Sequence, residues 1–89
     1  MIANKTVLVT GGAGSVGRIL VRQLLDRNPE VIRILDQSEP GLARLKSQID
    51  DERCRFLMGN VRDKDRLARA MNGVDIVIQT AAMKHVDIM

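Results

Sequence analysis

Residues 6–17 read Thr-Val-Leu-Val-Thr-Gly-Gly-Ala-Gly-Ser-Val-Gly, and this segment sets the architecture expected of the chain. Its first half, Thr6 to Thr10, is apolar and β-branched, which is typical of a buried strand. Its second half carries glycines three residues apart, at Gly11, Gly14 and Gly17. Glycines at these places allow a tight turn off the strand, a close approach to the backbone, and close packing of the following helix. The segment therefore predicts the opening of a βαβ unit.

The glycine-rich turn is also the best candidate for a binding site. Free amides around Ser15 and Val16, at the start of the following helix, would face a diphosphate with the positive end of the helix dipole. A tight turn without a ligand is the alternative, because glycines also mark ordinary turns. The strand before the turn and the helix after it are the context that favours a dinucleotide site. We predict that it binds NAD or NADP through Gly11, Gly14, Ser15, Val16 and Gly17.

The rest of the chain alternates short apolar runs with amphipathic stretches. Further strands are predicted over Val31 to Asp36, Cys54 to Met58, and Val74 to Thr80. The first helix is predicted from Ser15 to about Asn28, before Pro29. Its buried face is predicted from its apolar positions, which are Val16, Ile19, Leu20, Leu24 and Leu25.

Two more helices are predicted from their capping residues. Ser38 is the expected N-cap of the second, which has Pro40 in its first turn and carries Leu42, Leu45 and Ile49. Asp63 is the expected N-cap of the third, which closes at Asn72-Gly73. Its inward-facing residues are predicted to be Leu67, Ala70 and Met71.

This alternation predicts an α/β fold. We expect a Rossmann-like parallel sheet of order 3-2-1-4, with helices on both faces and truncated after the fourth strand. Residues 1–89 are expected to be the N-terminal portion of a dinucleotide-binding domain, without a second domain. The fourth strand would then be an open edge, which favours a homo-oligomer formed through that edge.

Polar residues follow the second and third strands and are candidates for the adenosine end of the cofactor. Asp36 can accept hydrogen bonds from ribose hydroxyls and would repel a 2′-phosphate, which favours NAD over NADP. A solvent-exposed aspartate is the alternative for this position, and Arg33 could alter the preference if it reached the site. Asn60 suits an adenine edge or, equally, organises the turn into the third helix. Gln37 and Val61, their neighbours in the chain, complete this group.

The end of the chain supplies a last group of candidates. Ala81 and Ala82 have small side chains that would let a flat ring lie against the backbone. Lys84 and His85 follow at the edge where open α/β sheets bind ligands. One of them could face the reactive end of the cofactor or an anionic substrate, or the two could be a solvated basic pair.

Composition excludes several kinds of chemistry. The formal net charge is +3 and the arginines are scattered, so no basic groove for nucleic acid is predicted. Phe56 is the only aromatic residue, which leaves neither a base-stacking platform nor a tyrosine acid. One cysteine and one histidine give no metal site, and we identify no catalytic residue. No run approaches the ~18 apolar residues of a membrane span, so a soluble, cytoplasmic protein is expected.

The motifs together resemble those of the extended short-chain dehydrogenases/reductases. The residues 10–17 resemble the TGxxGxxG pattern of that family. Gly59-Asn60-Val61-Arg62-Asp63, Gly73-Val74-Asp75-Ile76-Val77 and Ala81-Ala82-Met83-Lys84-His85-Val86 resemble its polysaccharide-biosynthesis branch, which includes the UDP-N-acetylglucosamine 4,6-dehydratases. Asn60 stands where that branch usually has Asp, and Gln79-Thr80 stand where a His is frequent.

The resemblance implies a nucleotide-sugar dehydratase or epimerase-type enzyme of polysaccharide biosynthesis. The family's catalytic Ser/Thr, acidic residue and Tyr- or Met-x-x-x-Lys motif have no counterpart here. The chain alone is therefore expected to be inactive and to meet a UDP-sugar only if a catalytic half is supplied. The alternatives are a stand-alone dinucleotide-binding module and a structural fragment that pairs through its open edge.

Overall fold

A computed structural model describes residues 1–80 of the chain. Four strands and three helices alternate within them, and their bounds are β1 (Thr6–Thr10), α1 (Ser15–Leu25), β2 (Val31–Asp36), α2 (Glu39–Gln48), β3 (Cys54–Met58), α3 (Lys64–Met71) and β4 (Ile76–Gln79). The strands are all parallel and lie in the order β3-β2-β1-β4, which confirms the predicted fold. None of these three helices has the length and apolar character needed to cross a bilayer.

The two faces of the sheet bury two separate clusters of side chains. Because successive residues of a strand point to opposite faces, β1 contributes Val7 and Val9 to one cluster and Leu8 to the other. The larger cluster also contains buried residues of α1 and α2, and the smaller one contains Ala70 of α3. Helices therefore cover both faces, as predicted, and β1 and β2 form the centre of the sheet.

Helix α1 is shorter than predicted, and its buried face is partly different: Leu24 is buried and Leu20 and Leu25 pack against the core, as predicted. It ends at Leu25 with Asp26 as the C-cap, and Asn28 then adopts a left-handed conformation with φ of 59°. Val16 and Ile19 are 68% and 56% exposed, so their predicted burial was wrong. The residues that face the sheet recur at i, i+4 and i+7, and they are Gly17, Val21 and Leu24.

The other two helices begin as predicted. The hydroxyl of Ser38 accepts the Gly41 N–H at 3.1 Å, and Pro40 lies in the first turn of α2. A carboxylate oxygen of Asp63 accepts the Arg66 N–H at 3.1 Å at the start of α3. These side chains satisfy amides that a helix start leaves without partners.

The prediction for the inner face of α3 and for the start of β4 was partly wrong. Ala70 is buried and Leu67 packs beside it, but Met71 points away from that cluster and is 42% exposed. β4 begins at Ile76 rather than Val74, since the N–H of Val74 donates to the Met71 carbonyl in the turn that leaves α3.

Arg33 connects the middle of the sheet to the end of α3. Its guanidinium donates to the carbonyl oxygens of Ala70 at 2.9 Å and Asn72 at 2.6 Å. The last carbonyls of a helix lack partners within the helix and carry partial negative charge, so a cation there is favourable. Gly73 follows with φ of 77° and reverses the chain toward β4. Arg33 is therefore occupied on the α3 face.

Replacing Arg33 with alanine should destabilise the chain by about 1–2 kcal/mol, because two helix-end carbonyls lose a charged donor. Chemical unfolding followed by circular dichroism measures this difference. Arg44→Ala, on the exposed surface of α2, is the matched control and should change stability by less than about 0.5 kcal/mol. Equal stability of the two variants would contradict the role of Arg33.

A candidate dinucleotide site at the carboxyl edge of the sheet

The turn between β1 and α1 is held in place by backbone contacts. Gly11 has φ of 78°, a conformation that residues with a side chain rarely adopt. Its N–H donates to the carbonyl of Leu35 at 2.8 Å, which extends the pairing of β1 with β2 into the turn. The N–H of Gly14 then donates to the Gly11 carbonyl at 3.2 Å. The turn thus leaves the strand sharply and begins α1 directly beside it.

Two glycines of this segment are required by packing alone. A Cβ on Gly17 would lie 2.5 Å from the Cα of Gly12 and 2.6 Å from the Gly11 carbonyl oxygen. A Cβ on Gly12 would lie 2.4 Å from a methyl group of Ile34. Gly12 was not among the residues predicted from the sequence, although the Gly11-Gly12 doublet is visible there. Helix, turn and sheet therefore meet at van der Waals distance here.

Gly14 differs from these two glycines. A Cβ on it would meet only the Gly11 carbonyl oxygen, at an ordinary contact distance of 3.5 Å. Its φ of −78° and ψ of 176° are accessible to any residue. Neither packing nor backbone conformation requires glycine at this position, which leaves room for another molecule to approach the backbone.

The start of α1 also lacks a cap of its own. Gly14 is its N-cap residue and provides no side-chain acceptor, whereas α2 and α3 have Ser38 and Asp63. Ser15 and Val16, the first residues of the helix, are exposed. The amides of this first turn, together with the helix dipole, favour an anion at this point.

Asp36 lies at the end of β2, next to the turn. One of its carboxylate oxygens accepts the N–H of Ala13 at 3.1 Å, and the other accepts the N–H of Ser38 at 2.9 Å. An ionised carboxylate has about four lone-pair sites, so two remain for ribose hydroxyls. The structure thus places Asp36 beside the glycine turn, and the carboxylate is not a free, solvated strand end.

Gln37 and Asn60 bring the loops after β2 and β3 together. The side-chain amide of Asn60 donates to the side-chain oxygen of Gln37 at 3.0 Å, and its oxygen accepts the N–H of Arg62 at 2.9 Å. The second contact is the turn-organising role considered for Asn60. Val61, the next residue, is exposed at the same edge.

The remaining candidate residues follow Thr80 in the sequence. Ala81, Ala82, Lys84 and His85 lie outside the described residues. Immediately before them, both the N–H and the hydroxyl of Thr80 donate to the carbonyl of Thr10, at 3.0 and 2.7 Å. The end of β4 is therefore held against the end of β1, where the glycine turn starts.

A charged cluster with shifted pKa values lies at the opposite, amino end of β3. Paired hydrogen bonds from Arg53 lower the pKa of Asp51 to about 2, and the same guanidinium donates to the Leu25 carbonyl at the end of α1. Burial raises the pKa of the Cys54 thiol to about 11, with the charge of Asp51 adding to the effect. These shifts belong to a structural ion pair and a buried thiol, so they mark no second site.

The architecture is that of the Rossmann-like domains of short-chain dehydrogenases/reductases: a parallel sheet of order 3-2-1-4 with a glycine turn into the first helix. A crystal structure of Pen from Bacillus thuringiensis superimposes with a TM-score of 0.89 at 36% identity, covering 97% of this chain and 26% of that one. Bordetella bronchiseptica WbmF in complex with NAD+ and UDP gives 0.70 at 28% identity, covering 88% and 23%.

The family profile described as "Polysaccharide biosynthesis protein" matches residues 7–89, and the chain belongs to that family. An uncharacterized membrane protein, MJ1061 of Methanocaldococcus jannaschii, is 51% identical over 93% of the chain and 25% of its own length. The inverting UDP-N-acetylglucosamine 4,6-dehydratase of Campylobacter jejuni is 42% identical over 99% and 27%. The chain thus spans about a quarter of the length of these curated relatives.

The glycines give the first test of this geometry. Gly17→Ala should destabilise the chain by about 1–3 kcal/mol, because its methyl group would overlap the backbone of Gly12 and Gly11. Gly14→Ala, with the same added methyl group, should change stability by less than about 0.5 kcal/mol. Chemical unfolding measures both, and a larger loss for Gly14→Ala than for Gly17→Ala would contradict the packing described above.

Proposed function

We propose that this chain is the NAD(P)-binding, N-terminal part of a nucleotide-sugar dehydratase or epimerase-type enzyme of polysaccharide biosynthesis. Its membership of the polysaccharide-biosynthesis family supports the proposal, as does its 42% identity to a UDP-N-acetylglucosamine 4,6-dehydratase. The fold also resembles that of WbmF, whose structure contains NAD+ and UDP. The free, buried thiol of Cys54 fits the cytoplasmic location expected from the sequence.

The observation that carries the proposal is that another molecule can approach the backbone closely at Gly14. The start of α1 has exposed residues and no side-chain cap, and a Cβ on Gly14 would make only one ordinary contact, with the Gly11 carbonyl oxygen. A diphosphate supplies negative charge and acceptor oxygens for such amides, and it needs close access to the backbone. The residues present therefore fit the diphosphate of a dinucleotide.

A nicotinamide dinucleotide, when bound, supplies the capacity to take up and return a hydride. The proposed part of this chain is to bind and orient it, through Gly11, Gly14, Ser15, Val16 and Gly17 at the diphosphate. Asp36, Gln37, Asn60 and Val61 lie at the carboxyl edge of β2 and β3 and would contact the adenosine. Ala81, Ala82 and Lys84 are retained as proposed contacts from sequence alone, and the groups that move protons are proposed to lie outside this chain.

We further propose that NAD is preferred over NADP. Asp36 places a carboxylate beside the glycine turn, where it would accept ribose hydroxyls and repel a 2′-phosphate. Arg33, the cation nearest in sequence, is bound to the end of α3 on the other face. It is therefore not available to offset the charge of Asp36.

A second candidate function is an oligomer formed through the edge of the sheet. Within residues 1–80, β4 has only β1 as a neighbour, and Val77 on it is exposed. Unpaired strand edges favour pairing with a second copy. Size-exclusion chromatography and thermal unfolding, each with and without NAD, distinguish cofactor binding from edge pairing. An oligomer that forms regardless of NAD, together with a melting temperature that NAD does not change, favours edge pairing.

Gly14→Val should abolish binding of NAD, because its side chain would occupy the space proposed for the diphosphate. Isothermal titration calorimetry measures the affinity, and circular dichroism establishes that the variant is folded. Ala43→Val enlarges a methyl group to an isopropyl group on the exposed surface of α2, and this variant should bind NAD as the wild type does. Unchanged affinity of the Gly14 variant would remove the diphosphate from this position.

Asp36→Ala should reduce the preference for NAD, so that the affinities for NAD and NADP become more similar. The variant loses an acceptor for the ribose hydroxyls and the negative charge that opposes a 2′-phosphate, so NAD should lose about tenfold more affinity than NADP. Parallel titrations with the two cofactors give the ratio. A ratio equal to that of the wild type would exclude Asp36 from discrimination.

A further inference from the structure

We infer that Asp36 is also a positioning residue: it fixes the glycine turn in the form that a diphosphate requires. This inference rests on the proposed function and deepens it, because the role differs from contact with ribose. A ribose contact would act only on ligands that carry the adenosine. A fixed turn would act on any ligand that carries a diphosphate.

Asp36 belongs to a closed ring of contacts. Its carboxylate joins the N–H of Ala13 to the N–H of Ser38, at 3.1 and 2.9 Å. The hydroxyl of Ser38 accepts the N–H of Gly41 at 3.1 Å. Gly41 in turn packs against Ala13, since a Cβ on it would lie 3.0 Å from the Ala13 Cβ. The glycine turn, the end of β2 and the start of α2 are thus connected in one ring.

Ala13 is the point where this ring reaches the turn. It stands between Gly12 and Gly14, and glycines lose the most conformational freedom when they are ordered. Anchoring the residue between them restricts the turn before a ligand arrives. A site ordered in advance binds more tightly, because less entropy is lost on binding.

Charge repulsion by Asp36 and positioning of the turn by Asp36 predict opposite changes in diphosphate affinity when the charge is removed. A carboxylate beside a diphosphate site repels the diphosphate, so removing its charge alone should strengthen binding of a ligand without ribose. If Asp36 positions the turn, neutralising it should weaken binding of the same ligand. Asparagine is the suitable replacement, because it has a single acceptor oxygen and cannot serve both amides.

The binding test uses inorganic pyrophosphate and the full chain. Amide shifts of Ser15 and Val16 in NMR titrations give the affinity of the wild type and of Asp36→Asn. We expect the variant to bind pyrophosphate about fivefold more weakly, the equivalent of one lost hydrogen bond. Asp63→Asn removes the same charge at the start of α3, retains a good N-cap, and should not weaken binding. Equal or tighter binding by Asp36→Asn overturns the inference.

Hydrogen exchange of the ligand-free chain provides a measurement that ribose contact cannot influence. In the wild type, the Ala13 amide should exchange more slowly than those of Ser15 and Val16. In Asp36→Ala, which has no acceptor oxygen, it should approach their rates, while the β1 amides of Leu8 and Val9 remain protected. Equal rates for the three amides in the wild type, or no change at Ala13 in the variant, overturn the inference.

The two proposals fail in different ways. If the wild type binds neither NAD nor pyrophosphate, the proposed function fails. If it binds both, but Asp36→Ala leaves Ala13 exchange unaltered and Asp36→Asn leaves pyrophosphate affinity unaltered, only the positioning role of Asp36 fails. The wild-type exchange measurement needs no variant, so a variant that does not fold leaves the inference open to refutation.

Discussion

The close approach of helix α1 to the turn after β1 is the constraint on which the site depends. No methyl group fits between Gly17 and the backbone of Gly12, and Gly12 itself lies directly on Ile34 of the central sheet. This contact fixes where the helix begins and which side of it is buried. It therefore also fixes the direction in which the first amides of the helix point. A residue with a side chain at either glycine would separate the helix from the sheet and move those amides.

Two sides of the sheet contribute to this arrangement in different ways. On one side, α1 and α2 share a cluster with the central strands, and the start of α2 is tied to the glycine turn through Asp36 and Ser38. On the other side, the short helix α3 is held by Arg33 at its last carbonyls. An arginine in the middle of a strand is thus a link between sheet and helix, and its guanidinium lies at the end of α3.

The sequence predicted most of the fold because its local signals agreed with one another. The apolar runs, the capping residues Ser38 and Asp63, and the glycine turn all pointed to the same alternation, and the structure has it. The buried face of α1 was predicted correctly at Leu20, Leu24 and Leu25. It was wrong at Val16 and Ile19, which are apolar but lie away from the side that Gly17 turns toward the sheet. A periodic pattern of apolar side chains predicts a buried face, but glycine has no side chain and does not contribute to that pattern. The contact of Gly17 with the turn was therefore not predicted as part of the buried face. Likewise, the hydrogen bond between Ala13 and Asp36 joins residues that are 23 positions apart, and no local sequence pattern predicts that they are close.

Gly14 has a consequence for how such proteins diverge. Since neither packing nor backbone conformation demands glycine there, drift at this codon would be invisible to the folding of the chain. A gene copy could therefore change at Gly14 through one base substitution and still produce an intact scaffold. A change at Gly17 would instead disrupt the packing of helix α1 and so the fold itself. The same turn therefore contains one glycine that the architecture requires and one that it does not.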